Sequence, residues 1–378
     1  MPDQIVETST TGWLQRILNS FLGILIGLLL FVGSFVLLYW NEGHFDLSKD
    51  AKKAVQVTAT QTPDASLNGK LIAVTGPVLS QETLGDGLYL KPTNVLAVTR
   101  KAEIFEWNES QQSSSKTNIG GSNTTTTTYT YALDWTDSPH DSSQFKNPTG
   151  HVNPKKTIDD TTIRVKSATI GNYSLDMQTI DLPSFSPIPL SQDNTIITAP
   201  TMLSSDYVYT GHGTLASPQL GDMRVSYTGL ADNTTLTAMG SQNDTMISSY
   251  YDAGGHKLYR LFQGSLGDAV ATLHKEYVLW IWIFRAIGFL MMWIGLMLFF
   301  GPISVILDVL PVFGGISRGA IGFLTFLLSV ILSGVAILVS IILHSVMFLI
   351  GAVVVAFLIF MVVAHVHRIS TKSSPAKT

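Results

Sequence analysis

Three long apolar runs constrain this chain more than any other feature. Ile17 to Trp40 supplies 24 residues without a charge, where a hydrocarbon core of ~30 Å requires roughly 20 apolar residues in helical form. Tyr277 to Phe300 supplies a second run whose one charge is Arg285, and from Ile321 to Val363 there are 43 residues without Asp, Glu, Lys or Arg. The last run is long enough for two crossings and reads as a helical hairpin turning near His344-Ser345. A cleaved signal peptide is the rival reading of the first run. The apolar stretch exceeds the ~7 to 15 residues of such a signal, and no small-residue cleavage pattern follows it.

The charges lie between these runs. Residues 41–276 hold 17 of the 23 Lys and Arg and 24 of the 27 Asp and Glu, so the insert is net −7 and the remainder +3. Short alternating apolar runs broken by Gly, Pro, Asn and Asp mark the insert as β-rich. Phe105 and Trp107 share one strand face, and Tyr129, Tyr131, Leu133 and Trp135 share another. The Ser/Thr tract between them, Ser110 to Thr128, reads as the long mobile tip of a hairpin. Helical character is expected for Leu47 to Val55 and for Tyr173 to Ile180. The fold class is therefore an α+β membrane protein, with four transmembrane helices and a large β-rich extramembrane domain inserted between helices 1 and 2. The expected divisions are a short cytoplasmic N-terminus (1–16), spans at 17–40 and 277–300, the insert at 41–276, a cytoplasmic or interfacial loop (301–320), spans at 321–343 and 345–364, and a basic cytoplasmic tail (365–378). Arg368, Lys372 and Lys377 place that tail in the cytoplasm, which puts the insert in the periplasm or a lumen. Lys49, Lys52 and Lys53, just outside the first span, count against this orientation.

Few constellations point to chemistry. With no cysteine, disulfides, thiolate zinc sites and cysteine nucleophiles are excluded. A pI near 6.1 argues against nucleic acid as a partner. Gly315-Ile316-Ser317-Arg318-Gly319 has the spelling of a hydrolase nucleophile elbow but lies between two membrane spans and lacks a downstream Asp. Gly211-His212-Gly213-Thr214-Leu215-Ala216 resembles a dinucleotide fingerprint without the helix that should follow. Asp134, Asp137, His140 and Asp141 crowd three carboxylates and an imidazole into eight residues, although neither zinc nor calcium spacing is met. His365 and His367 point to different helix faces. Trp280 and Trp282 suit a membrane interface, and Arg285 either snorkels beside them or pairs with another span. Gly23 and Gly27 form G-x-x-x-G, a face for close helix packing and for a homo-oligomer. Five sequons, at Asn108, Asn123, Asn172, Asn233 and Asn243, all fall in the insert. No cofactor is expected.

Taken in order, several segments resemble the LUMA family, also called the transmembrane protein 43 family. They are Trp40-Asn41-Glu42-Gly43, Phe105-Glu106-Trp107, Tyr131 with Trp135, Gly150-His151-Val152-Asn153-Pro154, Gly221-Asp222-Met223-Arg224-Val225-Ser226-Tyr227 and Phe284-Arg285-Ala286-Ile287-Gly288. The resemblance implies a four-span protein of the endoplasmic reticulum and inner nuclear membrane in eukaryotes, linked there to nuclear-envelope organisation with emerin and lamins. It also implies bacterial members in the inner membrane, and the short tails and missing cysteines suggest one of these. No catalytic residues are implied. The expected function is a non-enzymatic scaffold that meets the lipid bilayer and membrane, periplasmic or lumenal proteins. The alternatives are a transporter or channel component, for which His344 is the titratable group, and a metal-dependent enzyme using the Asp134 to Asp141 cluster.

Overall fold

The computed structural model describes residues 3–198, 200–308 and 313–345. In chain order the elements are β1 (Gln4–Thr11), α1 (Trp13–Glu42), α2 (Ser48–Ala51), β2 (Val55–Thr58), β3 (Leu71–Leu79), β4 (Val95–Thr117), β5 (Asn123–Thr136), β6 (Thr161–Arg164), β7 (Ser167–Ile170) and β8 (Tyr173–Asp176). There follow β9 (Ser186–Pro187), β10 (Met202–Leu203), β11 (Val208–Thr210), β12 (Met223–Ala231), β13 (Thr234–Asn243), β14 (Met246–Ser248), β15 (Tyr250–Tyr251), β16 (Lys257–Leu258), β17 (Arg260–Gln263), α3 (Leu266–Phe299), α4 (Gly301–Leu307) and α5 (Phe313–His344). Two compact units result. One comprises Asp46–Ser114 and Thr126–Lys275 with the chain start through Glu7; the other comprises Thr8–Phe45, Ser115–Thr125 and the described chain from Glu276 onward.

The first unit is built on two sheets. One runs β1-β5-β4-β12-β11-β10, with β6 beside β4 and β9 beside β12; the other runs β17-β13-β14-β8-β7-β3-β2, with β13 also on β3. Antiparallel ladders carry both, from Met223 opposite Ile104 along β12 and β4 and from Thr234 opposite Val78 along β13 and β3. Alternation along these strands buries Ile72, Val74, Leu96, Val98, Ile104, Val225 and Leu236 in one core. Burying a Val, Leu or Ile side chain contributes ~1.5–3 kcal/mol. A second cluster joins Leu71, Met239 and Phe262 to Ala269 and Leu273 on the first turns of α3. This is why α3 begins at Leu266, eleven residues ahead of the expected span: its opening turns pack on protein.

The second unit holds three helices long and apolar enough to cross a membrane, Trp13–Glu42, Leu266–Phe299 (shared with the first unit) and Arg318–His344. The expected fourth span at 345–364, the basic tail at 365–378, and His365 and His367 lie outside the described residues, apart from Ser345.

Four expectations are corrected by the backbone. Residues 4–11, expected as plain tail, form β1 on the edge of β5, because Val6 and the threonines are strong strand formers. The Ser/Thr tract is strand almost throughout, with a tip of only five residues at 118–122. Cross-strand hydroxyl pairs, Ser113 with Thr127 at 3.0 Å and Ser115 with Thr125 at 2.8 Å, tie its two sides together. Tyr173–Asp176 is strand β8, not helix, and its buried positions alternate. Of Leu47 to Val55 only Ser48–Ala51 is helical.

Candidate functional site

The helical unit concentrates its charges at two ends of α1. At the C-terminal end Glu42 accepts both Nε and Nη2 of Arg285 at 2.8 Å, a bidentate pair that fixes direction as well as charge. The guanidinium also lies 5.0 Å from the Trp282 ring. Trp280 stacks on Phe284, which meets Trp40 edge-on. Buried Asn41 donates to the Ile281 carbonyl at 3.1 Å. Trp280 and Trp282 are half exposed or more, as suits rings with an apolar body and a polar tip at a headgroup layer. His344, the last residue of α5, packs on the Tyr39 ring at this same end.

At the other end Arg16 pairs with Asp308, whose carboxylate also lies 3.3 Å from Arg318. Trp13 donates from its indole to the Val305 carbonyl at 3.0 Å. The hairpin tip joins this layer: Arg16 donates to the Gly121 carbonyl, and Arg318 to the Thr117 hydroxyl at 2.6 Å. Arg16 and Glu42 are 26 residues apart, which at 1.5 Å per residue separates the two layers by ~39 Å. That is close to the ~40–45 Å of a bilayer with its headgroups.

Between the layers α1 and α3 touch backbone to backbone. A Cβ on Gly27 would stand 2.6 Å from the Gly295 carbonyl, whereas one on Gly23 would meet its nearest neighbour, Leu298, at 3.8 Å. The structure thus uses Gly27 for packing within the chain.

In the first unit the residues that suggested chemistry serve the fold. Asp137 pairs with Lys101 at 2.8 Å, His140 meets buried Glu106 through Nδ1 at 2.9 Å, and Asp141 accepts from Ser143 and Gln144. They line an open groove of ≈ 680 Å³ together with Lys156 and Asp160. Among the described residues no cluster of His, Asp and Glu is arranged to hold a metal ion. Gly315–Gly319 lies inside helix α5, so the strand and sharp turn of a nucleophile elbow are missing.

The Gly211–Ala216 loop does cradle an anion, but that anion belongs to the protein. Asp222, fully buried, accepts from the backbone N–H groups of His212 (2.7 Å), Gly213 (3.0 Å) and Gln219 (2.6 Å) and from the Tyr209 hydroxyl. Gly211 has φ +152°, and a Cβ there would stand 2.0 Å from the Asp222 carboxylate, so only glycine fits so close a wrap. Burial pushes the Asp222 carboxyl up, but the Tyr209 and backbone donors outweigh it and hold the group below the usual carboxylate range. Burial, with Asp222 as acceptor, pushes the Tyr209 hydroxyl up. Asp86 repeats the arrangement with the N–H groups of Leu88, Tyr89 and Leu90, the Tyr227 hydroxyl and Arg100. Sequence reasoning missed both cradles; the only signal was a Gly-x-Gly loop followed by an aspartate.

Residues 104–346 match the family described as Transmembrane protein 43. Transmembrane protein 43 of Rattus norvegicus is 25% identical over 331 residues, covering 82% of this chain and 81% of the relative. The Homo sapiens protein of that name is 25% identical over 332 residues, with 82% and 81% covered. A Drosophila melanogaster protein, Transmembrane protein 43 homolog, is 24% identical over 284 residues, with 72% and 74% covered. These relatives are animal proteins, and the expectation of a bacterial member is not borne out. No solved structure matches.

Proposed function

The chain belongs to the transmembrane protein 43 family, and from that premise we propose that it is a non-enzymatic multi-pass scaffold. Four helices, the three described and a fourth at 345–364, hold the β-rich insert on one membrane face, where it recruits membrane, periplasmic or lumenal proteins. The basic tail favours the cytoplasm for the C-terminus, which puts the insert on the opposite face, in a lumen for an endomembrane host. Family resemblance extends the reading to organisation of the endoplasmic reticulum and inner nuclear membrane.

The observation that carries this reading is how the buried charges are used. Asp86 and Asp222 are saturated by structural donors, and Glu42 with Arg285 and Asp308 with Arg16 pin helix to helix. Such groups reinforce a fixed shape and are not free to exchange protons with a substrate. The test is crosslinking from a cysteine at Ser115 in membranes, followed by mass spectrometry. Reproducible capture of partner proteins supports the scaffold. Substrate turnover that is lost on alanine substitution of an insert Asp or His, in a variant that remains folded, refutes it.

A further inference from the structure

Buried Asp308 holds one side of the Arg16 guanidinium, and Nη1 on the other side donates to the Gly121 carbonyl of the hairpin tip. Arg318, 3.3 Å from the same carboxylate, donates to the Thr117 hydroxyl of the tip. The tip belongs to the insert, and a spanning α1 puts the insert on the other face of the bilayer from Arg16. The Gly121 carbonyl then leaves, and Nη1 requires another acceptor in its place. That place lies at the headgroup layer, where two guanidinium groups meet one protein carboxylate. An arginine fixed in this way suits a phosphate oxygen.

Beside Arg16 the seam between α1 and α3 opens as a wedge. A Cβ on Gly27 would stand 2.6 Å from the Gly295 carbonyl, whereas one on Gly23, about one turn nearer to Arg16, would meet Leu298 at 3.8 Å. The mouth is a cavity of ≈ 330 Å³ lined by Arg16, Asn19, Ser20, Gly23, Leu298 and Val305. Withdrawal of the tip, whose Asn123 also lines it, widens it. Asn19, Leu22 and Ile26 follow one another on a single stripe of α1, and Leu22 and Ile26 are exposed. We propose that this wedge binds one anionic phospholipid of the leaflet opposite the insert, with its phosphate on Arg16 and Asn19 and an acyl chain over Gly23, Leu22 and Ile26. A soluble anion would use only the polar end; the apolar continuation commits the site to a lipid. Basic pockets between membrane helices take anionic headgroups in this manner. The inference rests on α1 and α3 crossing the bilayer, which thiol labelling at Ser115 and Ser317 reports separately, and not on what the insert recruits.

Native mass spectrometry of the full chain released from detergent micelles tests it, with dioleoylphosphatidylserine and dioleoylphosphatidylcholine added in turn. Phosphatidylserine should fill one site with a preference of about fivefold or more, the effect of a single basic residue on an anionic lipid. Millimolar inorganic phosphate should not displace it. Arg16→Gln combined with Asp308→Asn removes the cation without stranding the carboxylate, and Gly23→Leu fills the wedge while leaving the ion pair in place. Each should bring the preference down to about one while keeping the native melting transition. Equal occupancy by the two lipids on the native chain, a comparison that needs no variant, overturns the site. So does displacement by phosphate alone, or a preference that survives in either folded variant.

Discussion

Replacing Asp222 by Asn is the sharpest test of the claim that its glycine loop is a structural cradle. In the folded chain one carboxylate oxygen accepts from His212, and the other from Tyr209, Gly213 and Gln219. An asparagine keeps one acceptor oxygen and turns an NH2 toward at least one backbone N–H, which leaves a buried donor unsatisfied at about 1–3 kcal/mol. The remaining bonds lose their charge assistance, for about 1 kcal/mol each. With three bonds remaining the sum is about 4–6 kcal/mol, and a unit of this size loses about 2–4 °C per kcal/mol. The expected drop in Tm is therefore roughly 8–24 °C, read by tryptophan fluorescence of the full chain in detergent. The pH dependence has a definite sign. The folded carboxyl sits below its ordinary value, so its stabilisation is present above the unfolded pKa of about 4 and is lost as pH falls through the folded pKa. The Asn variant should lack that part of the acid limb, so its deficit relative to the native chain shrinks in acid. A variant that melts within about 1 °C of the native chain at neutral pH refutes the reasoning, since no unsatisfied donor could then have been created.

Three further outcomes follow from the helical unit and its proposed orientation. Gly27→Leu should abolish accumulation of folded protein, because its Cβ alone meets the Gly295 carbonyl at 2.6 Å, whereas Gly23→Ala should be tolerated; size-exclusion profiles in detergent decide, and equal behaviour counts against the α1–α3 contact. Arg285→Ala should destabilise by about 3 kcal/mol, because it strands the Glu42 carboxylate, while Arg285→Lys keeps the charge but loses the fork. Partial rescue by Lys in a thermal melt is expected; full rescue would mean that the bidentate geometry is immaterial. In this cysteine-free chain, an impermeant thiol reagent should label a cysteine at Ser115 from outside and leave one at Ser317 unlabelled, and the reverse pattern overturns the proposed orientation.

What could be read from the sequence followed the range of each interaction. The apolar runs declared four helices, three of which fall among the described residues, because lipid solvation acts residue by residue, without a partner. The edges of those helices depended on packing: α3 starts early because Ala269 and Leu273 find the β unit. The strand β1 was hidden because Gln-Ile-Val-Glu-Thr-Ser-Thr-Thr shows no clear alternation, and its stability comes from β5, more than a hundred residues away. Arg285 was conspicuous as a lone charge, yet Glu42 as its partner was invisible 243 positions upstream. The Gly211–Ala216 loop was legible only as a dinucleotide fingerprint without its helix, and only the fold shows that it wraps Asp222.

The contacts of the hairpin tip bear on how such a chain can be threaded into a membrane. The insert leaves α1 covalently at Glu42, and through Thr117 and Gly121 it also touches Arg318 and Arg16 at the far end of that helix. An open, hydroxyl-lined ribbon cannot share the hydrocarbon with α1, because its edge amides would find no acceptor there. Passage of α1 through lipid and seating of the tip on Arg16 are therefore mutually exclusive. Insertion has to strip the tip from the arginines and β1 from β5, and a chain that keeps those contacts is one whose first helix has yet to be committed to the bilayer.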